Sequence, residues 1–189
     1  SCTTLANSQS APALITTARA EPPLADDALG QQIARGGHVL LLRHASTEAG
    51  LGDPPHFRIG DCGTQRNLSA AGRDEARRIG QAIAARAVQV DEVRSSPWCR
   101  CLETARLAFG RAEPWPALSS LFNDPARQAR RTDEVLAVLK GWRGAGNLVL
   151  VTHQFNIRAL TGVSPRPGET VVARLVEGRL EAVGRLPAP

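Results

Sequence analysis

Methionine and tyrosine are both missing from this 189-residue chain, and Lys140 is its single lysine. With no methionine, no initiator is present, so a processed or trimmed chain is expected. Aromatics make up only 4% and are scattered, so the stacking platforms that hold single-stranded nucleic acid have nothing to be built from. A nucleic-acid partner is therefore not expected. No apolar run approaches the roughly 20 residues that a membrane-crossing helix needs. No Gly-x-Gly-x-x-Gly follows the first apolar run and no P-loop occurs, which removes both familiar nucleotide cradles. Paired C-x-x-C spacing is also absent, so a zinc site made from the cysteines and His56 is disfavoured, and no cofactor is expected.

What is present begins with a charge of +5 carried almost wholly by arginine, a balance that favours an anionic ligand. The opening "SCTTLANSQSAPALITTARAEPP" is small, polar and without periodicity. It reads as a tail over residues 1–25, resembling the start of an exported protein or lipoprotein whose membrane tether would sit on Cys2. A periplasmic or cell-envelope location is the expectation, with the cytoplasm as the alternative. Residues 26–189 are long enough for one domain with a real core. Among the cysteines, Cys99 and Cys101 are too close to bond each other. Cys62 can bond either one, or all three can serve as small buried apolar residues.

Two apolar runs end alike. "VLLL" (residues 39–42) runs into Arg43 and His44, and "NLVLVT" (residues 147–152) stops on His153. Continuous apolar runs of this length read as strands buried on both faces. Between them "LSAAGRDEARRIGQAIAARA" is a helix capped by Ser69, with a stripe of Ala76, Ile79 and Ile83. "QVDEVRSSP" is a strand reaching Ser95 and Ser96, and "WCRCLETARLAFG" is the next helix, with Trp98 assigned to the core. A further helix is expected from Thr132 to about Gly141. A short one follows His153, and "ETVVARLVEGRLEAVGRL" is a hairpin turning at Glu177-Gly178. Strands alternating with helices predict a three-layer α/β/α sandwich with a mostly parallel sheet. The turn-rich segment 46–67 is long for a compact domain, and such loops usually carry function.

In open parallel sheets, working residues collect beyond the carboxyl ends of the strands. His44, His153, the Ser95-Ser96-Pro97 end and Arg100 would then share one rim. Forked guanidiniums match tetrahedral oxyanions, a neutral imidazole can attack phosphorus, and a second imidazole can stabilise the developing charge. Such a group suits phosphoryl transfer without a metal. His38, at the start of a strand, reads as structural, and His56 as loop surface.

These motifs resemble the histidine phosphatase superfamily, the phosphoglycerate-mutase-like fold. "LLRHAST" is similar to its Arg-His-Gly signature, with Ala45 for glycine. "NLSAAGRDEARRIG", "SSPWCRCLETA" and "LVLVTHQFNIRALTG" follow in the family's order. The resemblance implies His44 as nucleophile, Arg43 and Arg100 as phosphate ligands, and His153 completing the pocket. Gln154, where the acid-phosphatase branch has aspartate, points to the mutase-like branch. The family's glutamate proton donor has no clear counterpart in "PALSSLFND". Asp124 is the leading candidate for that role, with Glu48 and Asp53 behind it. Arg66 either lines the substrate mouth or pairs with an acid. The implied activity is hydrolysis of a phosphorylated small molecule through a phosphohistidine. A mutase and a non-catalytic phosphate-binding envelope protein are the alternatives. Substrate and oligomeric state are not legible.

Overall fold

The computed structural model describes residues 26–122 and 124–189, so the expectations for residues 1–25 and Cys2 lie outside the described residues. Six strands form one sheet: β1 (Val39–Arg43), β2 (Val90–Ser95), β3 (Glu113–Pro114), β4 (Asn147–Thr152), β5 (Thr170–Val176) and β6 (Arg179–Leu186). Their order is β3-β2-β4-β1-β5-β6. The β3, β2, β4 and β1 strands are parallel neighbours, whereas β5 and β6 are an antiparallel hairpin closing the β1 side. The helices are α1 (Asp26–Ala34), α2 (Ala70–Ala85), α3 (Cys99–Phe109), α4 (Gln128–Gly141) and α5 (Gln154–Thr161).

The two-residue period of the strands divides the core in two. Leu40, Leu42, Val149 and Val151 face one side, where Leu29 and Ile33 of α1, Ile79 and Ile83 of α2 and Ala105 of α3 cover them. Val39, Leu41, Leu148 and Leu150 face the other, against Val135 and Leu139 of α4 and Ile157 and Leu160 of α5. Each fully buried Leu or Val contributes about 1.5–3 kcal/mol, so these two layers hold the sheet between them. This is the three-layer α/β/α sandwich expected from the strand–helix alternation.

The α2, α3 and α5 helices and the terminal hairpin lie where the sequence places them. The α4 helix starts at Gln128, one turn before the expected Thr132, preceded by a 3-10 turn at Pro125–Arg127. Proline at the head of that turn supplies the preset backbone that starts the helix early.

Candidate active site

β1 and β4 are parallel, with Arg43 opposite Thr152, so the next residues, His44 and His153, leave the sheet side by side. Their ring centroids are 5.5 Å apart. The β2 strand ends beside them with Ser95 opposite Val151. The strand ends are then locked: the His44 N–H donates to Thr152 O at 3.1 Å and the Ser96 N–H to Val151 O at 2.8 Å. Behind them the Ala45 N–H donates to Thr104 Oγ1 at 3.1 Å, which in turn donates to Arg100 O at 2.7 Å. This joins the end of β1 to α3. A Cβ on Gly72 would lie 1.8 Å from Ser46 O, so only glycine lets the start of α2 pack on this backbone.

The two histidines are each 4% exposed. His44 Nδ1 lies 2.9 Å from Ala45 O. A carbonyl only accepts, so Nδ1 carries the proton and Nε2 keeps its lone pair. Burial, and then the charge of Arg100, lower the His44 pKa to about 3, which keeps the ring neutral. His153 Nε2 lies 2.8 Å from Ser96 Oγ, which also accepts from the Trp98 N–H at 3.3 Å. Cys101 Sγ lies 3.5 Å from the same nitrogen, so His153 Nε2 is held between the serine hydroxyl and the thiol. Burial first, then the charge of Arg100, holds His153 well below its ordinary pKa.

Three guanidiniums meet these rings. Arg43, Arg66 and Arg100 all act electrostatically on both histidines. Arg43 donates to Pro165 O at 2.9 Å, Arg66 donates to Gly50 O, and Arg100 donates to Asp53 Oδ1 at 2.8 Å. The Nε atoms of all three are buried without a hydrogen-bond partner. Burial lowers the pKa of Arg43 and of Arg66, with repulsion from Arg100 contributing to both. Buried donors without acceptors, on cations that repel one another, are the signature of a site made for an anion.

The carboxylate in this group is Asp53. Its Oδ1 accepts from Arg100 and from the Arg66 N–H at 3.1 Å, and its Oδ2 from the Trp98 indole at 3.1 Å. Burial pushes its pKa up, but the Arg100 hydrogen bond and charge outweigh this and hold it below the usual carboxylate value. Three guanidiniums less one carboxylate leave these groups a net charge of +2, which complements a phosphate dianion.

The loop bringing Asp53 and Arg66 here is tied to the head of α3. Cys62 is disulfide-bonded to Cys99, which settles the pairing left open by the sequence. The Cys99 N–H donates to Gln65 Oε1 at 2.9 Å beside it. Closing a loop with a sequence separation of 37 restricts the unfolded chain by about 4 kcal/mol. Cys101 stays a free, buried thiol, raised to about 12 by burial and therefore unreactive.

The structure thus gathers His44, His153, Arg43, Arg100 and Arg66. Asp124 is not among them: its carboxylate pairs with Arg127 at 3.1 Å and, among the described residues, makes no contact with this group. Glu48 is likewise absent from the hydrogen bonds of the pocket. Trp98, assigned to the core by sequence, instead borders the site, with its ring 5.7 Å from His153 and edge-on to it. The sequence places Ser96 at this rim without its bond to His153, and gives Thr104 no role, although both lie within the "SSPWCRCLETA" motif.

Known proteins share this fold. A model of the histidine phosphatase superfamily (branch 1) matches residues 39–121. The alpha-ribazole phosphatase from Shigella flexneri has 17% identity and a TM-score of 0.57, covering 80% of this chain and 96% of its own. The protein histidine phosphatase SixA complexed with tungstate has 16% identity and a TM-score of 0.55, covering 80% and 97%. A phosphoserine phosphatase mutant from Entamoeba histolytica in complex with phosphoserine has 13% identity and a TM-score of 0.57, covering 78% and 95%. No curated protein matches the chain.

Proposed function

From a matched segment and a fold that are those of the histidine phosphatase superfamily, we propose that this chain hydrolyses phosphomonoesters through a phosphohistidine on His44. The observation that carries the reading is the neutral His44, whose Nε2 keeps its lone pair beside three guanidiniums, each with a buried Nε that has no partner among the described residues.

In this reading the phosphate settles on Arg43, Arg66 and Arg100, whose forked donors match its oxygens. His44 Nε2 attacks phosphorus while His153 holds an equatorial oxygen as charge builds there. The leaving oxygen needs a proton, and this reading takes it from Asp53, which is bonded to Arg100, rather than from Asp124, which pairs with Arg127. Free of ligand, Asp53 is kept ionised by Arg100. A dianion on Arg100 takes away that donor and adds negative charge, and both effects favour the protonated acid. As the phosphorus–oxygen bond breaks, Asp53 passes its proton to the alcohol. Asp53 then accepts a proton from the water that attacks the phosphohistidine, and the phosphorus–nitrogen electron pair returns to His44.

The substrate in this reading is a phosphorylated small molecule. The Cys62–Cys99 disulfide supports an exported protein, because such bonds persist in oxidising compartments.

The test is phosphate release from a panel of phosphomonoesters in EDTA, with rapid acid-free quenching to trap phosphoprotein. EDTA-resistant release, and a trapped phosphoryl group absent from His44→Ala, are the expected results. Phosphate or vanadate binding with no turnover of any ester would make the chain a binding protein instead.

A further inference from the structure

Among the described residues the large apolar side chains left in water are Leu51, Phe57, Ile59, Phe122, Val138 and Phe155. All but Val138 belong to the segments that frame the two histidines. Phe57 lies 5.7 Å from the Trp98 ring, which is itself 5.7 Å from His153. Phe155 follows His153 by two residues on α5 and stacks on Phe122, with centroids 6.2 Å apart. Phe122 presses on Gly52, next to Asp53, so closely that a Cβ there would lie 2.8 Å from its ring. Leu51 is 92% exposed between Gly50 and Gly52, both at positive φ, which hold it outward at the tip of the loop. Beyond Phe122 and Phe155 a groove continues along Leu121, Pro125, Gln128 and the face of α5 at Arg158 and Ala159.

Exposed apolar residues scattered singly are ordinary, but gathered around one mouth they mark a binding surface. This one borders the buried histidines and the guanidiniums that act on them, a group of net positive charge. A ligand complementary to both parts has one phosphate head and one apolar body. A sugar phosphate would set its hydroxyls against Phe57, Phe122 and Phe155, with Gln128 the one side chain lining the groove, among the described residues, that can accept a hydrogen bond. We infer that the preferred substrate is the phosphate monoester of a long apolar alcohol, its head on the arginines and its chain along the Phe122–Phe155 groove. This rests on the phosphomonoester reading for the head group alone.

The inference is read by binding, apart from turnover. Calorimetry with methyl-, butyl- and octylphosphonate, all below their aggregation limits, should show affinity rising with chain length. Complete burial of a methylene gives about fourfold. A half-open groove should give about twofold per methylene, or about 10²-fold from methyl to octyl. The double variant Phe122→Ser, Phe155→Ser should reduce that gain below about tenfold while leaving methylphosphonate affinity within about twofold. Val138→Ser, away from the mouth, should leave the gain intact. Equal affinities along the series, or a gain that the double variant does not touch, would overturn the inference. So would an apolar rim occupied instead by a second copy, seen as a dimer abolished by the double variant with no chain-length effect. Methyl phosphate hydrolysis, lost in His44→Ala, tests the parent reading separately. If hydrolysis holds while chain length has no effect, only the substrate class fails.

Discussion

His38 and His44 stand at the two ends of β1, and both are buried. Burial is the first cause that lowers the pKa of each. Their ring nitrogens differ. His38 uses both: Nδ1 donates to Gly36 O at 2.8 Å and Nε2 accepts from the Gln32 amide at 3.2 Å. His44 uses only Nδ1, and its other nitrogen faces guanidiniums, which cannot accept from it or protonate it. Burial and a depressed pKa therefore do not separate a structural histidine from a reactive one. Saturation of the second nitrogen does, and it follows from position: the amino end of the strand meets α1 and a glycine turn, whereas the carboxyl end opens into the loop crevice.

The largest expected effect sets the two side chains directly against each other. His44→Ala should lower kcat on any accepted phosphomonoester by about 10⁴-fold or more, since no other nucleophile is in place. His38→Ala should change kcat by less than about threefold, because nothing it touches reaches the phosphate. Comparable losses in the two variants, measured by phosphate release, would erase the distinction between the strand ends.

The second prediction sharpens what the free nitrogen faces. Asp53→Asn keeps the shape and can still accept from Trp98, but it carries no transferable proton. Phosphoenzyme formation from alkyl phosphates, whose leaving oxygen needs a proton, should slow by about 10²-fold in a single turnover. Phosphoenzyme formation from p-nitrophenyl phosphate, whose leaving group is stable as an anion, should slow by less than about threefold. Equal losses on both substrates would make Asp53 a positioning residue that merely holds Arg100.

Much of this was legible in sequence because it is local. Continuous runs of Leu and Val, each ending on histidine, announce buried strands and a shared rim. The Gly72 and Ser95-Ser96 motifs then order the elements around it. The acid was harder to read. Asp53 reaches Arg100 only because segment 46–67 folds back under the Cys62–Cys99 bond and the Gln65 contact, and such a tertiary return leaves no periodicity. The one local sign is Pro54-Pro55, which forces Asp53 itself into extended backbone. Trp98 was assigned to the core for a related reason: a tryptophan amid buried helix residues resembles packing until its indole is found on Asp53. The pocket ends of strands can be read from sequence, whereas the loop that completes the pocket depends on the fold.

The third prediction asks whether the histidines share one energetic consequence despite their different roles. His38, His44 and His153 all have folded-state pKa values below the ordinary 6.5. Below that pH the unfolded chain takes up protons that the folded chain refuses. Their stabilising effect is thus fully present above about pH 6.5 and is lost as pH falls towards the folded values, about 3 for His44. Between pH 7 and pH 5 each fully shifted histidine should lose about 2 kcal/mol, lowering Tm by several degrees. His44→Asn should make the Tm–pH slope shallower by its share. A Tm that is flat from pH 7 to pH 5 would mean that the rings are protonated inside the fold.

The smallest expected effect tests whether His38 is structural in the sense its bonds imply. His38→Gln keeps a polar side chain at the amino end of β1, but its amide cannot span both Gly36 O and the Gln32 amide. The backbone bond from the His38 N–H to Asn147 Oδ1, 3.1 Å long, survives the change and keeps β1 joined to the start of β4. One buried hydrogen bond should therefore be lost, costing about 1–1.5 kcal/mol and about 2–4 °C in Tm, with kcat unchanged. His38→Leu, which leaves both Gly36 O and the Gln32 amide without a partner, should cost about twice as much. If His38→Gln changed kcat while leaving Tm alone, the two ends of β1 would be coupled, and the division between a saturated and an open histidine would fail.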